Sequence, residues 1–98
     1  MKEFNRLKKR ESVRISAEIR RVLMSVWDPI GVKDEPACAD EYDFYIGGIF
    51  GRLTRGADDN ELAEYLAEIV TNRMGLSAAT KEAMLPTVRA LREIKIRE

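Results

Sequence analysis

The architecture of this chain depends on the segment between two amphipathic helical patterns, Trp27-Asp28-Pro29-Ile30-Gly31-Val32-Lys33-Asp34-Glu35-Pro36-Ala37-Cys38-Ala39-Asp40-Glu41-Tyr42-Asp43. It contains two prolines, six carboxylates and one lysine. Pro29 pushes the residue before it out of the helical region of backbone space, so the preceding helix should end at Trp27. We predict that residues 28–38 form an irregular acidic connection and that a second helix begins near Ala39 or Asp40.

Apolar residues on both sides of this stretch repeat with helical spacing. The first helix, from Ser12 or earlier to Trp27, has a core stripe of Ile15, Ile19, Val22, Leu23 and Val26. The second has a stripe of Tyr42, Tyr45, Ile46, Ile49, Phe50 and Leu53, and Gly56 terminates it. Carboxylates at positions 40, 41 and 43 would fall in its first turn, where the helix dipole favours negative charge.

Two further helices follow from capping signals. Asp58 with Glu61 three residues later fits an N-terminal capping box for a third helix, which buries Leu62, Tyr65, Leu66, Ile69 and Val70. Ser77 can cap a fourth helix, and Pro86 either kinks that helix or separates a fifth segment. We therefore predict an all-α fold, a compact bundle of four or five helices.

Composition indicates one globular domain over residues 1–98, with a basic N-terminus over residues 1–11 that we expect to be frayed. The apolar share is 45%, and no apolar run approaches the length of a membrane span. The chain opens on charged residues rather than a secretory signal, so we expect a cytoplasmic protein. Cys38 is the only cysteine and histidine is absent, which excludes an internal disulfide and argues against zinc or Ser-His chemistry. We expect no enzyme activity, metal or cofactor.

The formal net charge of zero conceals a segregation of charge along the chain. Residues 1–27 carry eight bases and three acids, residues 28–68 three bases and eleven acids, and residues 69–98 six bases and three acids. Part of this charge should be neutralised between packed helices, and the remainder should form an acidic surface.

A partner-binding surface is the functional hypothesis that these residues favour. Its carboxylates are Asp34, Glu35, Asp40, Glu41 and Asp43, and on a helical wheel Phe44 and Asp40 share a face of the second helix with Gly47, Gly48 and Gly51. Glycine within a helix costs about 1 kcal/mol relative to alanine, so these glycines need a reason. Either they form an open shelf for a partner beside Phe44, or they let another helix of the chain cross closely. The carboxylates, likewise, are either a docking patch or helix caps and solvated ion pairs.

Nucleic-acid binding is the main competing class. Bases that could contact phosphates follow one another along the first helix: Lys8, Lys9, Arg10, Arg14, Arg20 and Arg21. The acidic middle of the chain opposes such binding, so nucleic acid is the less favoured partner. Self-association stays open.

Four short motifs resemble those of small uncharacterised bacterial helical proteins: Trp27-Asp28-Pro29-Ile30-Gly31, Asp40-Glu41-Tyr42-Asp43, Gly56-Ala57-Asp58 and Arg73-Met74-Gly75-Leu76. The resemblance covers residues 15–76 and transfers no functional residue. Some similar proteins with acidic patches are immunity partners of toxins, so the resemblance implies that class. The sequence thus predicts a non-enzymatic domain that neutralises a basic, nuclease-type toxin through the acidic residues, Phe44, Gly47 and Gly51, with a regulatory protein that contacts nucleic acid as the alternative.

Overall fold

The first helix, α1, spans Lys9–Val22 and continues into a π-helical turn, Leu23–Trp27, in the computed structural model, which describes residues 9–76 and 79–96. The backbone N–H of Asp28 closes this turn on the carbonyl of Leu23 at 2.8 Å, an i→i+5 bond that accommodates an extra residue. The extra residue shifts the buried side of the helix by one position. Trp27 is therefore 7% exposed and Val26 42% exposed, so the prediction that Val26 belongs to the core is wrong. The other four residues of the predicted stripe are buried, as expected.

The segment between α1 and the second helix is longer than predicted. Helix α2 spans Ile46–Thr54, preceded by a 3-10 turn at Asp43–Tyr45 and, earlier, another at Pro36–Cys38. The predicted helix start near Ala39 or Asp40 is wrong, because i→i+3 hydrogen bonds link the backbone from residue 35 to residue 45. Two tertiary contacts hold this shape, since Tyr42 is bonded to Asp28 and Asp43 to Arg20 of α1. We call residues 28–42 the acidic connection.

The boundary between the second and third helices follows the capping signals closely. Gly56, with a φ of +85°, ends the α2 region, and the Asp58 carboxylate caps α3 by accepting the N–H of Glu61 at 2.9 Å. Helix α3 spans Asp59–Glu68, continues as a π-helical turn over Ile69–Arg73 and is followed by Gly75 at a φ of +67°.

Helix α4 spans Lys81–Arg92 and is capped by Thr80, whose hydroxyl accepts the N–H of Ala83 at 3.1 Å. The helix thus begins later than a cap at Ser77 would place it, and Ser77 itself lies outside the described residues. Pro86 lies inside α4 without dividing it, so the described residues form four helices and no strand. The predicted all-α bundle is confirmed.

One apolar core joins the four helices. Helix α3 packs against α4, α1 packs against α2 and α4, and the π-helical turn Leu23–Trp27 contacts α4. All four helices contribute fully buried side chains to this core, and so does the acidic connection through Tyr42. The fully buried side chains are Ile15, Ile19, Val22, Leu23, Tyr42, Ile49, Leu62, Leu66, Ile69, Val88 and Leu91. Within residues 9–76 and 79–96, the helices lack the combination of length and apolar character that crossing a bilayer requires. This core fixes where the acidic connection and the N-terminal end of α2 meet the surface.

Candidate protein-binding surface

The acidic connection is tied to the core by a hydrogen-bonded group centred on Asp28. Its backbone has a φ of +35°, a left-handed conformation that aspartate tolerates better than most residues. One carboxylate oxygen accepts the hydroxyl of Tyr42 at 2.9 Å and the N–H of Val32 at 2.8 Å, and the other accepts the N–H of Lys33 at 3.3 Å. The hydroxyl of Tyr42 in turn accepts the N–H of Ile30 at 3.1 Å. The hydrogen bond between Asp28 and Tyr42 thus joins the first and last residues of the acidic connection.

Sequence reasoning missed this group, although one signal was present. Asp28 lies before Pro29 and Gly31, and aspartate in such a setting commonly accepts backbone N–H groups further along a turn. Partial burial of Asp28 opposes its ionisation, but the hydrogen bonds from Val32, Tyr42 and Lys33 outweigh it and lower the pKa of the carboxyl group. Burial, together with the hydrogen bond to Asp28, raises the pKa of Tyr42 to about 12.

Four of the five predicted partner-binding carboxylates lie exposed on the acidic connection. Asp34, Glu35, Asp40 and Glu41 make no ion pair with any lysine or arginine of the described residues. The acids of α3 behave differently, because Asp59 pairs with Arg92, Glu61 with Arg55, and Glu64 with Lys81. The packed helices thus neutralise much of the charge of α3, whereas the connection keeps its own.

Asp43 is the exception among the predicted carboxylates. Arg20 of α1 holds it by a two-point contact, with Nε donating to Oδ1 at 2.9 Å. The hydrogen bond and the charge of Asp43 raise the pKa of Arg20. Because the side chain of Arg20 is 51% exposed and that of Asp43 32% exposed, solvent screens the pair, which contributes only about 0–1 kcal/mol to stability. Asp43 is therefore a structural tie between α1 and the turn before α2 as well as a surface carboxylate.

Phe44 is the most exposed large apolar side chain of the described residues, at 79%. It lies in the 3-10 turn directly before α2, edge-on to Tyr45 with 5.4 Å between ring centroids. The guanidinium of Arg73, at the end of the π-helical turn after α3, lies 5.9 Å from the centre of its ring. No sequence signal connected Arg73 to Phe44, because the two residues meet only through tertiary packing. The ring is thus flanked from the side while most of its surface faces solvent.

The three glycines of α2 divide between the two predicted roles. Among residues 9–76 and 79–96, no atom lies within 4 Å of where a Cβ atom at Gly47 or Gly51 would be, and both residues are exposed. At Gly48 a Cβ atom would lie 2.0 Å from the hydroxyl of Tyr65, whose ring stacks on Arg52 at 3.6 Å, so this glycine permits close packing of α3. Gly47, Gly51 and Thr54 of α2 are exposed, as are Phe44 in the turn before the helix and Arg55 directly after it; we call these five residues the glycine face. The prediction that Asp40 and Phe44 share a helical face with the glycines is wrong, because both residues precede Ile46, where α2 begins.

The basic side of α1 is partly used within the molecule. Arg14 donates to Glu18 at 2.9 Å and to the carbonyl of Lys95 at 2.8 Å, and Arg20 is paired with Asp43. Lys9, Arg10 and Arg21 are exposed and have no ion pair within the described residues, while Lys8 lies outside them. Internal contacts thus reduce the continuous basic stripe that the sequence suggested.

The described residues contain no group of three or more carboxylate or thiol side chains arranged to hold a metal ion. The feature that distinguishes this surface is the combination of exposed carboxylates, an exposed phenyl ring and a helix face without side chains. Comparisons with protein-family models, with curated proteins and with solved structures find no match to this chain.

Proposed function

We propose that this chain is a non-enzymatic protein-binding domain whose partner presents a basic surface, and specifically an immunity protein that neutralises a nuclease-type toxin. The observation that carries the proposal is the set of exposed carboxylates on the acidic connection, beside an exposed phenyl ring at position 44. Negative charge of this kind accelerates encounter with a basic protein and rejects acidic ones.

The proposed mechanism is occlusion. A nuclease must attract phosphate and so carries a basic cleft, which gives an acidic inhibitor a physical means of recognition. Asp34, Glu35, Asp40 and Glu41 would face that cleft, and Phe44 would fill an apolar pocket next to it. The toxin would then be unable to admit nucleic acid. We place this activity in the cytoplasm, where such a toxin would meet its substrate.

Inhibition of a neighbouring toxin tests the proposal. We expect the gene beside this one to encode a toxin with a basic nuclease domain, and the purified chain to inhibit degradation of nucleic acid by that domain. The variant Asp40→Lys with Glu41→Lys should bind the nuclease domain at least about tenfold more weakly in calorimetric titration.

The control is a variant with the same net charge changed elsewhere. Glu68→Lys with Glu93→Lys alters two exposed acids, one at the end of α3 and one directly after α4. This variant should inhibit the nuclease domain as strongly as the natural sequence does. Equal loss in both variants, or absence of inhibition by the natural chain, would contradict the proposal. Retention of the chain on duplex DNA with a steep salt dependence would instead favour nucleic-acid binding by α1.

A further inference from the structure

Resting on the proposed function, we infer that the partner contacts this chain with a basic amphipathic helix, which crosses α2 over Gly47 and Gly51 and places its cationic end over the acidic connection.

The glycine face allows an unusually close backbone approach at one place. Gly47 and Gly51 lie one helical turn apart, both are exposed, and a Cβ atom added at either position would have no neighbour within 4 Å in the part of the chain that the structure describes. Internal packing does not require glycine there, in contrast to Gly48, which the ring of Tyr65 covers. Two glycines that lower the stability of α2 without serving the chain's own core are explained by something outside it.

The shape of the opening fits a helix. Residues four apart form the rows along which helices interdigitate, and the row that runs 47–51–55 lacks side chains at its first two positions. The result is a groove along the helix surface, into which a ridge of residues spaced by four on another helix fits with a crossing angle of about −50°. Binding of an amphipathic helix in a groove is a common mode of protein recognition.

The charges around the groove set the chemistry of the helix that fits it. The N-terminal end of α2 follows directly on the acidic connection, where Asp40 and Glu41 are exposed and unpaired among the described residues. The opposite end carries Arg55, which Glu61 already holds at 2.8 Å. A helix with lysine or arginine at one end and apolar residues at its middle therefore complements both the acids and the open groove. Phe44, exposed in the turn between Glu41 and Gly47, supplies an apolar anchor; because Arg73 lies 5.9 Å from the centre of its ring, the partner's residues over Phe44 are apolar and its cations lie over Asp40 and Glu41.

The probe for the test is a synthetic peptide of about 18 residues, long enough to be helical on its own, built from alanine and leucine with arginines in the turn at one end only. We expect it to shift the backbone amide signals of Phe44, Gly47 and Gly51 in the NMR spectrum of the ¹⁵N-labelled chain. The same peptide with its central residue replaced by proline should bind at least about tenfold more weakly, since proline breaks the helix.

Alanine at the two open glycines separates folding from binding. Gly47→Ala with Gly51→Ala should raise the midpoint of thermal unfolding, because alanine favours the helix and meets no neighbour, yet weaken peptide binding at least about tenfold. Ala83→Leu adds bulk at an exposed position of α4 and should leave binding unchanged.

Three outcomes would overturn the inference: unaltered binding by the alanine variant, equal binding of the straight and proline-containing peptides, or amide shifts confined to other helices. If Asp40→Lys with Glu41→Lys weakens binding of both peptides while the glycine variant does not, the helix inference fails and the proposed acidic recognition stands. A dimer of the free chain that the glycine variant abolishes would assign this face to a second copy, against the inference.

Discussion

At the scale of single residues, Asp28 does more for the structure than its place beside a proline suggests. Its left-handed backbone ends the π-helical turn, and its carboxylate binds two backbone N–H groups and the hydroxyl of Tyr42. These bonds join the start of the acidic connection to the residue that anchors its end in the core. The carboxylates beyond Asp28 can therefore stay in solvent on a connection that is held at both ends.

Replacing Asp28 tests this role through the pH dependence of stability. Asp28→Asn keeps a residue that tolerates the left-handed conformation but loses the charge and one acceptor oxygen, so it should lower the free energy of unfolding by about 1–3 kcal/mol at neutral pH. The folded-state pKa of Asp28 is lowered, so its contribution is present above the pKa of the unfolded chain and is lost as the pH falls through the folded value. The difference between the natural chain and the variant should therefore shrink in acid, as measured by urea unfolding at several pH values.

A neighbouring carboxylate provides the control for this measurement. Asp34 is exposed and makes no hydrogen bond or ion pair through its side chain within the described residues. Asp34→Asn should therefore change the free energy of unfolding by no more than about 0.5 kcal/mol at any of these pH values. A loss at Asp34 equal to that at Asp28 would show that general charge, not the hydrogen-bonded group, is responsible.

At the scale of helices, local sequence signals predicted where a helix begins or ends better than they predicted which of its side chains are buried. Asp58 and Gly56 marked the boundaries between α2 and α3 because capping and a positive φ depend on neighbouring residues alone. The π-helical turn after Val22 had no such local signal, and the late start of α2 depends on tertiary bonds of Tyr42 and Asp43. Periodicity found buried residues of the first three helices, such as Ile15, Ile49 and Leu62, but it could not show that the π-helical turn exchanges Val26 for Trp27.

The candidate surface shows the same division between local and tertiary information. The sequence identified the acids, Phe44 and the glycines, because each is a departure from what an ordinary helix contains. Contacts between distant residues decide which of them stay accessible. Arg20 pairs with Asp43 and Tyr65 covers Gly48, whereas no described residue covers Gly47 or Gly51. Contacts between residues distant along the chain leave no signature in a single sequence, so the accessibility of each residue could be seen only in the folded structure.

The phase shift at the end of α1 can be measured with a matched pair of substitutions. Val22 is fully buried and Val26 is 42% exposed, although periodicity alone assigns both to the core. Val22→Ala should lower the free energy of unfolding by about 2 kcal/mol through lost contacts and a cavity. Val26→Ala should change it by no more than about 0.5 kcal/mol. Denaturant unfolding of the two variants compares them, and equal losses would mean that the helix continues in regular α-helical phase.

At the scale of the whole molecule, the acids on packed helices are paired with bases, whereas the acids on the acidic connection are not. Ion pairs between α3 and its neighbours neutralise acids where helices pack, as Asp59 with Arg92 and Glu64 with Lys81 illustrate. Asp34, Glu35, Asp40 and Glu41 of the acidic connection have no such ion pairs within the described residues. Their carboxylates are exposed to solvent, although the chain as a whole has a formal net charge of zero. A neutral chain with one acidic segment can bind a basic partner at that segment without carrying a large net charge that would destabilise its small core.

The single core should make the molecule unfold as one unit. Trp27, the only tryptophan, lies edge-on to Tyr42 and Tyr45 at centroid distances of 5.4 and 6.0 Å, so its fluorescence reports on the contact between α1, the acidic connection and α2. Far-UV circular dichroism reports on all helices, including α4. Since α4 packs against α3, α1 and the turn that carries Trp27, we expect both signals to change with the same urea midpoint.

A variant in the last helix makes this expectation specific. Leu91 is fully buried in α4, far along the chain from Trp27, and Leu91→Ala should lower the free energy of unfolding by about 2–5 kcal/mol. In a cooperative fold this change moves the fluorescence midpoint as much as the dichroism midpoint, even though residue 91 belongs to another helix than the tryptophan. A dichroism transition that shifts while the fluorescence transition stays in place would mean that α4 unfolds separately. In that case the acidic connection and the glycine face would have to be supported by α1, α2 and α3 alone.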